Sequence, residues 1–338
     1  MDFLRNTSQQ RIGLMLAFGT LVWSGTYNAL AKGLTPFLSP VALLIISEAL
    51  TAVFIIATFG LVPLLKKLAK LDAKTIRICI IVGLLNSAVA PLLWFTGLSY
   101  TTAINATMLS SAEMIVVLIL GHFLLKEEIG RMQAAGMMTV LSGIVIINVA
   151  SFGTATLGVH VGDILVIAGG VVAGTGIVLF KKYLSHVMPE LAIVIRSLAG
   201  ILAVSFVSVL LQQSISAEVS AFPLEKVLLL LAFAFFSRYL NLMFFYEALE
   251  RLSASKFSMI MIASPLSGVL FAFLILGETV HSYHVLGGIF IILGLFLEQT
   301  SAQSIRSFRT TPFMHHFRFR AKPLTTPAQT IQILPKNV

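Results

Sequence analysis

WFTGLSYTTAINATMLSSAEMIVVLILGHFLLKEEIGRMQAAGMMTVLSGI, the stretch from Trp94 to Ile144, lies without a gap on Phe245 to Leu295 when the chain is shifted by 151 positions. In that register Leu98 meets Leu249, Ala103 meets Ala254, Met108 meets Met259 and Ala112 meets Ala263. Leu125 with Leu276, Glu127 with Glu278, Gly136 with Gly287 and Gly143 with Gly294 continue it. Leucines coincide easily in apolar sequence. A Glu between two apolar runs and a pair of glycines at one common offset do not, so the chain reads as a duplication. Upstream the copies match more weakly at an offset of 150, through Gly19 and Gly169, Lys32 and Lys182, Ala42 and Ala192, and Ser47 and Ser197. One residue is therefore inserted in the second copy.

With 57% hydrophobic and 11% charged residues and a mean hydropathy of +0.96, the chain carries more apolar surface than a soluble core of 338 residues buries. A bilayer core about 30 Å thick takes roughly 20 apolar residues per helix. The apolar runs have that length and are continuous, which suits helices and not a barrel of short alternating strands. The lone Cys79 builds no disulfide framework. Arg5 and Arg11 before an apolar stretch resemble a cleavable leader, but the stretch is longer than a leader's apolar region and is expected to stay as the first helix of the repeat.

Helices are expected at about Arg11 to Ala31, Val41 to Leu61, Thr75 to Ser99, Thr102 to Leu125 and Met132 to Val149 in the first copy. The second copy gives about Ile164 to Tyr183, Leu191 to Leu211, Val227 to Ala248, Ser253 to Leu276 and Tyr283 to Leu297. Basic residues fall in alternate connections: Arg5 and Arg11, then Lys66, Lys67, Lys70 and Lys74, then Lys126 and Arg131, Lys181 and Lys182, and Arg251 and Lys256. Only Lys32 and Lys226 fall on the other side. The net charge of +9 thus speaks for membrane topology, with both termini cytoplasmic, and not for nucleic acid. Five helices per copy make the second copy enter from the opposite face. The expectation is an all-α, multi-pass protein of the inner plasma membrane, with ten transmembrane helices in two inverted repeats, residues 1–150 and 151–299. A basic, disordered cytoplasmic tail is expected over residues 300–338, with anionic lipid headgroups as a minor partner.

Charges at membrane depth each cost roughly 2.5 to 3.5 kcal/mol, so they are kept where they face protein or an aqueous cavity. Glu48, Glu113, Arg196 and Arg238 qualify. Glu113 and Arg238 lie mid-way along the fourth and eighth helices and are the natural pair, either as a structural salt bridge or as a group that binds solute or relays a proton. Glu48 and Arg196 occupy the second helix of each copy, where inversion sets them near opposite gates or in local packing pairs; Glu48 is the second candidate for proton coupling. Asn86 and Trp94 share one face of the third helix, and Thr107, Ser110 and Met114 form a stripe beside Glu113 on the fourth. Trp23 and Tyr27 stand at i, i+4 on the first helix, and Gly169, Gly170, Gly174 and Gly176 on its equivalent allow bending or close approach. Each of these faces serves a cavity or simply close helix packing.

No phosphate-cradling loop, nucleophile elbow or paired cysteines are present in the sequence, which leaves ATP-driven or hydrolytic chemistry without residues. His281, His284 and Glu278 are too few for a metal centre. No cofactor, metal or enzymatic activity is expected. The competing class is a non-transporting membrane protein, such as a lipid-modifying enzyme or a helical scaffold.

The turn from Ser99 to Thr102, followed by Ala103, Thr107 and Met108, then Glu127 and a helix bearing Gly136 and Gly143, resembles the EamA-like members of the drug/metabolite transporter superfamily. The resemblance covers about Arg11 to Gln299. It implies a secondary permease, commonly an exporter of amino acids or other small metabolites, with helices one to four and six to nine around a central cavity. Family members often carry an Arg in the second helix of each copy; Arg196 fits, while Ile46 stands at the aligned position of the first copy and Met114 opposite Pro265. The cavity residues expected on this reading are Trp23, Tyr27, Asn86, Trp94, Ser110, Glu113, Arg196 and Arg238. The partners are a small solute and membrane lipid, with a homodimer left open.

Overall fold

The computed structural model describes residues 2–69, 71–126, 129–151, 157–184, 187–252, 257 and 260–304. Lys70, Glu127, Ala254, Lys256, Met259 and the tail from residue 305, all used above, lie outside these. Besides two short helices, Leu61–Leu68 and Ile215–Ala221, the longer helices in chain order are α1 (Asp2–Leu34), α2 (Pro40–Phe59), α3 (Ala73–Tyr100), α4 (Ala103–Leu125), α5 (Arg131–Ser151), α6 (Leu157–Tyr183) and α7 (Pro189–Leu210). α8 begins as Val227–Ala232 and ends as Asn241–Arg251; α9 (Ser264–Leu276) and α10 (Ser282–Ser304) follow. Among the described residues seven helices, α2 to α7 and the span Leu224–Phe245, which joins a short 3-10 turn to most of α8, are long and apolar enough to cross a membrane, and α9 and α10 contain shorter apolar helices. The first helix starts at Asp2, earlier than the apolar run implied.

Local chemistry sets the ends. Ser39 and Thr102 accept the backbone N–H of Ala42 and Asn105 at 3.2 and 3.0 Å, capping α2 and α4. Asp72 does the same for Thr75 at 3.1 Å, and these bonds, led by the Thr75 hydroxyl, hold its exposed carboxyl below the usual range. α4 stops at Lys126 and α9 at Gly277, both left-handed, with φ of 58° and 67°. These two residues are repeat equivalents, so each copy ends this helix by the same backbone device.

Two irregularities recur in the same way. α3 passes through π-helical turns at Leu85–Val89 and α8 through longer ones at Phe233–Leu240. α4 breaks at Ser110 and Ser111, and the chain turns at Ile262 and Ala263 just before α9. The duplication thus extends to defects that hydropathy does not reveal.

α5 and α10, the last helices of the two copies, pack against each other along their glycines. A Cβ on Gly143 would lie 2.6 Å from the carbonyl oxygen of Gly287, and one on Gly294 would lie 2.6 Å from that of Gly136. Numbers rise on one helix as they fall on the other, so the pair is antiparallel. In lipid, where apolar surface gains nothing by leaving the solvent, such close backbone approach is what binds helices. Leu198, Leu202, Phe206 and Val209 on α7 are exposed, an apolar stripe suited to acyl chains.

The buried residues divide by depth. The larger cluster, with Leu34, Leu38, Leu43, Phe95, Leu98 and Phe233, fills the end away from the basic connections. Two smaller ones, with Ile55, Cys79, Val82, Leu184 and Leu191 and with Ala17, Ala248, Leu252 and Phe257, flank the end that carries Lys66, Lys67, Lys181, Lys182 and Arg251. The bundle is therefore packed more heavily at one end than at the other.

Candidate functional site

A cavity of about 650 Å³ lies between α1, α3, α4, α6, α7, α8 and the turn before α9. It runs from Asn28 and Thr107 to Leu184 and Ala192, towards the basic end. Its central wall is built from the two helix breaks: Ser110, Ser111, Glu113 and Met114 from one copy, and Met261, Ile262, Ser264 and Pro265 from the other. These are four pairs of repeat equivalents. The duplicated geometry is symmetric and the chemistry is not, since Glu113 faces Ser264 in that correspondence.

The break at Ser110 makes Glu113 the first-turn residue of the helical segment Ala112–Leu125, whose N–H groups at Glu113 and Met114 bond to the carbonyls of Ser110 and Ser111 at 3.0 and 3.2 Å. Gly170 and Gly174 of α6 allow this: a Cβ at Gly174 would lie 2.9 Å from the Glu113 carbonyl oxygen. The glycine cluster of α6 thus serves close approach within an unbroken helix. Gly176 likewise makes room for the Asn86 side chain.

Arg196 enters the cavity from α7. Neither Arg196 nor Glu113 has an ion-pair partner within 4 Å among the described residues, although the Arg196 charge also acts on the buried Glu48 carboxylate behind the wall. Arg196 Nε, Asn86 Oδ1 and Asn241 Oδ1 are buried without a hydrogen-bond partner among those residues, and all three side chains line the cavity. Trp23 Nε1, Ser87 Oγ, Glu190 Oε2, Gln213 Oε1 and Arg251 Nε are likewise buried without a partner among the described residues, and Asn86 Oδ1 lies against Gly176, so what the three residues give the hollow is a polar lining.

Arg238 does not meet Glu113, the partner that depth alone suggested. Its Nη2 donates to Glu48 Oε1 and its Nη1 to Ser47 Oγ at 3.0 Å, while Ser197 Oγ donates to Glu48 Oε2 at 2.6 Å. The π turns of α8 rotate the helix face away from a 3.6-residue period and bring Arg238 against α2. The pair is buried, and the two serines that brace it are equivalents in the two copies. Arg238 and Glu48 stand behind the cavity wall and not on it.

Of the other expected residues, Asn86 and Ser110 line the cavity. Trp94 sits behind it, where its Nε1 donates to Asn28 Oδ1 at 2.9 Å; Asn28 Nδ2 in turn donates to Thr107 Oγ1 at 3.0 Å. Trp23 stacks on Phe236 at 4.6 Å, and Tyr27 packs against Phe95 and Phe233 at 6.1 and 5.2 Å. Both aromatics fill space between helices. The α1 residues that reach the cavity are Thr20, Ser24 and Asn28, a polar stripe at i, i+4, i+8 that the same helical spacing reveals. Ser24 Oγ lies 3.3 Å from Ser264 Oγ, joining α1 to α9 at the cavity wall.

The model of the EamA-like transporter family matches residues 11–149 and again 160–298, nearly the whole described chain in two copies. The chain belongs to the EamA-like transporter family. Its relatives include an uncharacterized transporter of Methanothermobacter thermautotrophicus, 28% identical over 232 residues, which are 68% of this chain and 66% of that protein. The uncharacterized transporter YyaM of Bacillus subtilis is 24% identical over 64% of this chain and 70% of its own. An uncharacterized transporter of Archaeoglobus fulgidus is 26% identical over 291 residues, 84% of this chain and 96% of its own. A crystal structure of a protein superposes with a TM-score of 0.60 at 16% identity, covering 89% of this chain and 99% of that one, a likeness of fold alone. With its two EamA copies and its run of membrane-crossing helices, this member is a multi-pass integral membrane protein of a transporter family.

Proposed function

We propose that the chain is a secondary-active permease that exports small organic metabolites, amino acids among them, by alternating access around the central cavity. The observation that carries the reading is the pairing of Arg196 and Glu113 on one cavity, neither with an ion-pair partner among the described residues. A guanidinium suits a carboxylate and a carboxylate suits an amine, so the hollow fits a zwitterionic or anionic solute.

On this reading ten helices cross the membrane in two inverted sets of five. The antiparallel packing of the equivalent helices α5 and α10 favours inversion, and the alternation of basic connections favours a cytoplasmic basic face with both termini on it. On that assignment the cavity leads towards the cytoplasm and the heavily packed end closes the outside, as an exporter awaiting its solute requires. Glu113 couples the cycle to protons: charged, it holds an amine; protonated, it lets go. Glu48, tied to Arg238 and Ser197, positions helices instead. Solute flux in sealed vesicles, with and without a pH gradient, tests the reading; a purified protein that moves no organic solute would contradict it.

A further inference from the structure

The end of the bundle opposite the basic connections holds a second buried polar cluster, apart from the cavity. Asp163 of α6 is 0% exposed, and Asn105 of α4 and His284 of α10 are each 2% exposed. The Thr101 hydroxyl, at the end of α3, donates to Asp163 Oδ1, and Asn105 Nδ2 donates to both oxygens of that carboxylate at 3.3 and 3.2 Å. Asn105 Oδ1 faces His284 Nε2 at 2.9 Å, and on the ring's other side Nδ1 accepts the backbone N–H of His281 at 3.0 Å.

These bonds fix the tautomer. Asn105 directs its amide nitrogen to Asp163, so its oxygen must receive a hydrogen, and Nε2 of His284 supplies it. Nδ1 is then bare, and the ring is neutral. A proton added at Nδ1 would set N–H against N–H at His281. The charged ring then satisfies both nitrogens only by leaving His281 for the Asp163 carboxylate or for water.

The first copy shows that capping alone needs no imidazole. Gln133, the equivalent of His284, accepts the N–H of Gly130 at 2.9 Å through Oε1. The second copy puts a titratable ring where a neutral amide suffices, and does so at a junction of α3, α4, α6 and α10.

We propose that this cluster is a proton-binding site: a proton taken up by His284 from the face opposite the basic connections releases α10 from α4 and opens the cavity to that face. The proposal rests on the alternating-access reading above. Other titratable groups surround the ring. His281 and Tyr283 have ring centroids 5.6 and 4.2 Å away, and Asp163 faces it through Asn105 from α6. Glu278 holds the start of α4 through the N–H groups of Ala103 and Ile104, and Lys32 of α1 caps α3 at Leu98 and Ser99. Both of these charges are engaged by backbone, which leaves His284 as the hinge of the response.

The test uses Ser110→Cys in a Cys79→Ala background, in membrane vesicles of known sidedness, with an impermeant maleimide added only at the face opposite the basic connections. Rates are compared at pH 4 and pH 8, a span that reaches well below the usual imidazole transition because the ring is buried among neutral partners and beside His281, with and without His284→Gln. The ratio of His284 protein to Gln variant cancels the thiol's own pH dependence. It is expected to stay near one at pH 8 and to rise several-fold at pH 4. A ratio that stays flat overturns the latch, as does the absence of labelling at both pH values. Should the Gln variant misfold, the His284 protein is normalised to free glutathione at each pH, and a flat rate overturns the proposal. No solute takes part, so failure here is distinct from failure to transport, which flux reads separately.

Discussion

Arg238 and Glu48 close a buried ion pair between α8 and α2, and Ser47 and Ser197, one position seen twice in the duplicated chain, brace it from either side. Such a pair does not need to add stability relative to an apolar core. Removing one member, however, strands the other charge, at a cost of about 3–5 kcal/mol. Glu48→Ala is therefore expected to lower the unfolding midpoint in detergent far more than Ser197→Ala, which loses a single hydrogen bond to a charged group worth about 1.5–3 kcal/mol. Equal midpoints for Glu48→Ala and the wild type would contradict the pairing.

The left-handed ends of α4 and α9 give a matched pair of backbone tests. Lys126 carries a side chain in a conformation that costs an L-residue about 1–2 kcal/mol, while Gly277 does not. A Cβ at Gly277 would meet nothing within 4 Å, so the strain of Gly277→Ala is conformational alone. Lys126→Gly should stabilise and Gly277→Ala destabilise, each by about 1 kcal/mol in equilibrium unfolding. Shifts in the same direction would remove the repeat-symmetric capping argument.

Inversion of the two copies has a direct chemical readout. Lys66 and Ser216 occupy equivalent connections, after α2 and after α7, and both are exposed. In a Cys79→Ala background, cysteines at these two positions should label with an impermeant reagent from opposite faces of the membrane. Labelling from one face would end the inverted-repeat account.

Glu113→Gln keeps shape and hydrogen bonding but cannot ionise. A folded variant that exchanges solute yet no longer accumulates it in response to a pH gradient is the expected outcome. Full pH-driven transport by the Gln variant would rule out the proton role of Glu113.

The duplication and most of the helices were legible because lipid demands long apolar runs and each copy repeats the same turn and glycine signals. The partner of Arg238 was not. Depth along a helix follows from residue number, but azimuth depends on an unbroken 3.6-residue period, and the π turns at Phe233–Leu240 shift it. The same limit explains α1. Trp23 and Tyr27 are one residue, about 100° of rotation, away from Ser24 and Asn28, and only the latter reach the cavity. Arg196, Glu113, Asn86 and Ser110, singled out in the sequence because polar groups in a membrane helix have few other places to face, line the cavity.

The central claim is that Arg196 and Glu113 together hold the travelling solute. The most direct measurement is counterflow of labelled amino acids and organic acids into vesicles holding purified wild-type protein or Arg196→Gln. The account expects wild-type exchange of zwitterionic or anionic solutes and a loss of about tenfold or more in Arg196→Gln, the effect of removing about 1.4 kcal/mol or more from a charge-assisted contact. Strong transport of permanent dications, with no response to amino or organic acids and no change in Arg196→Gln, would contradict it.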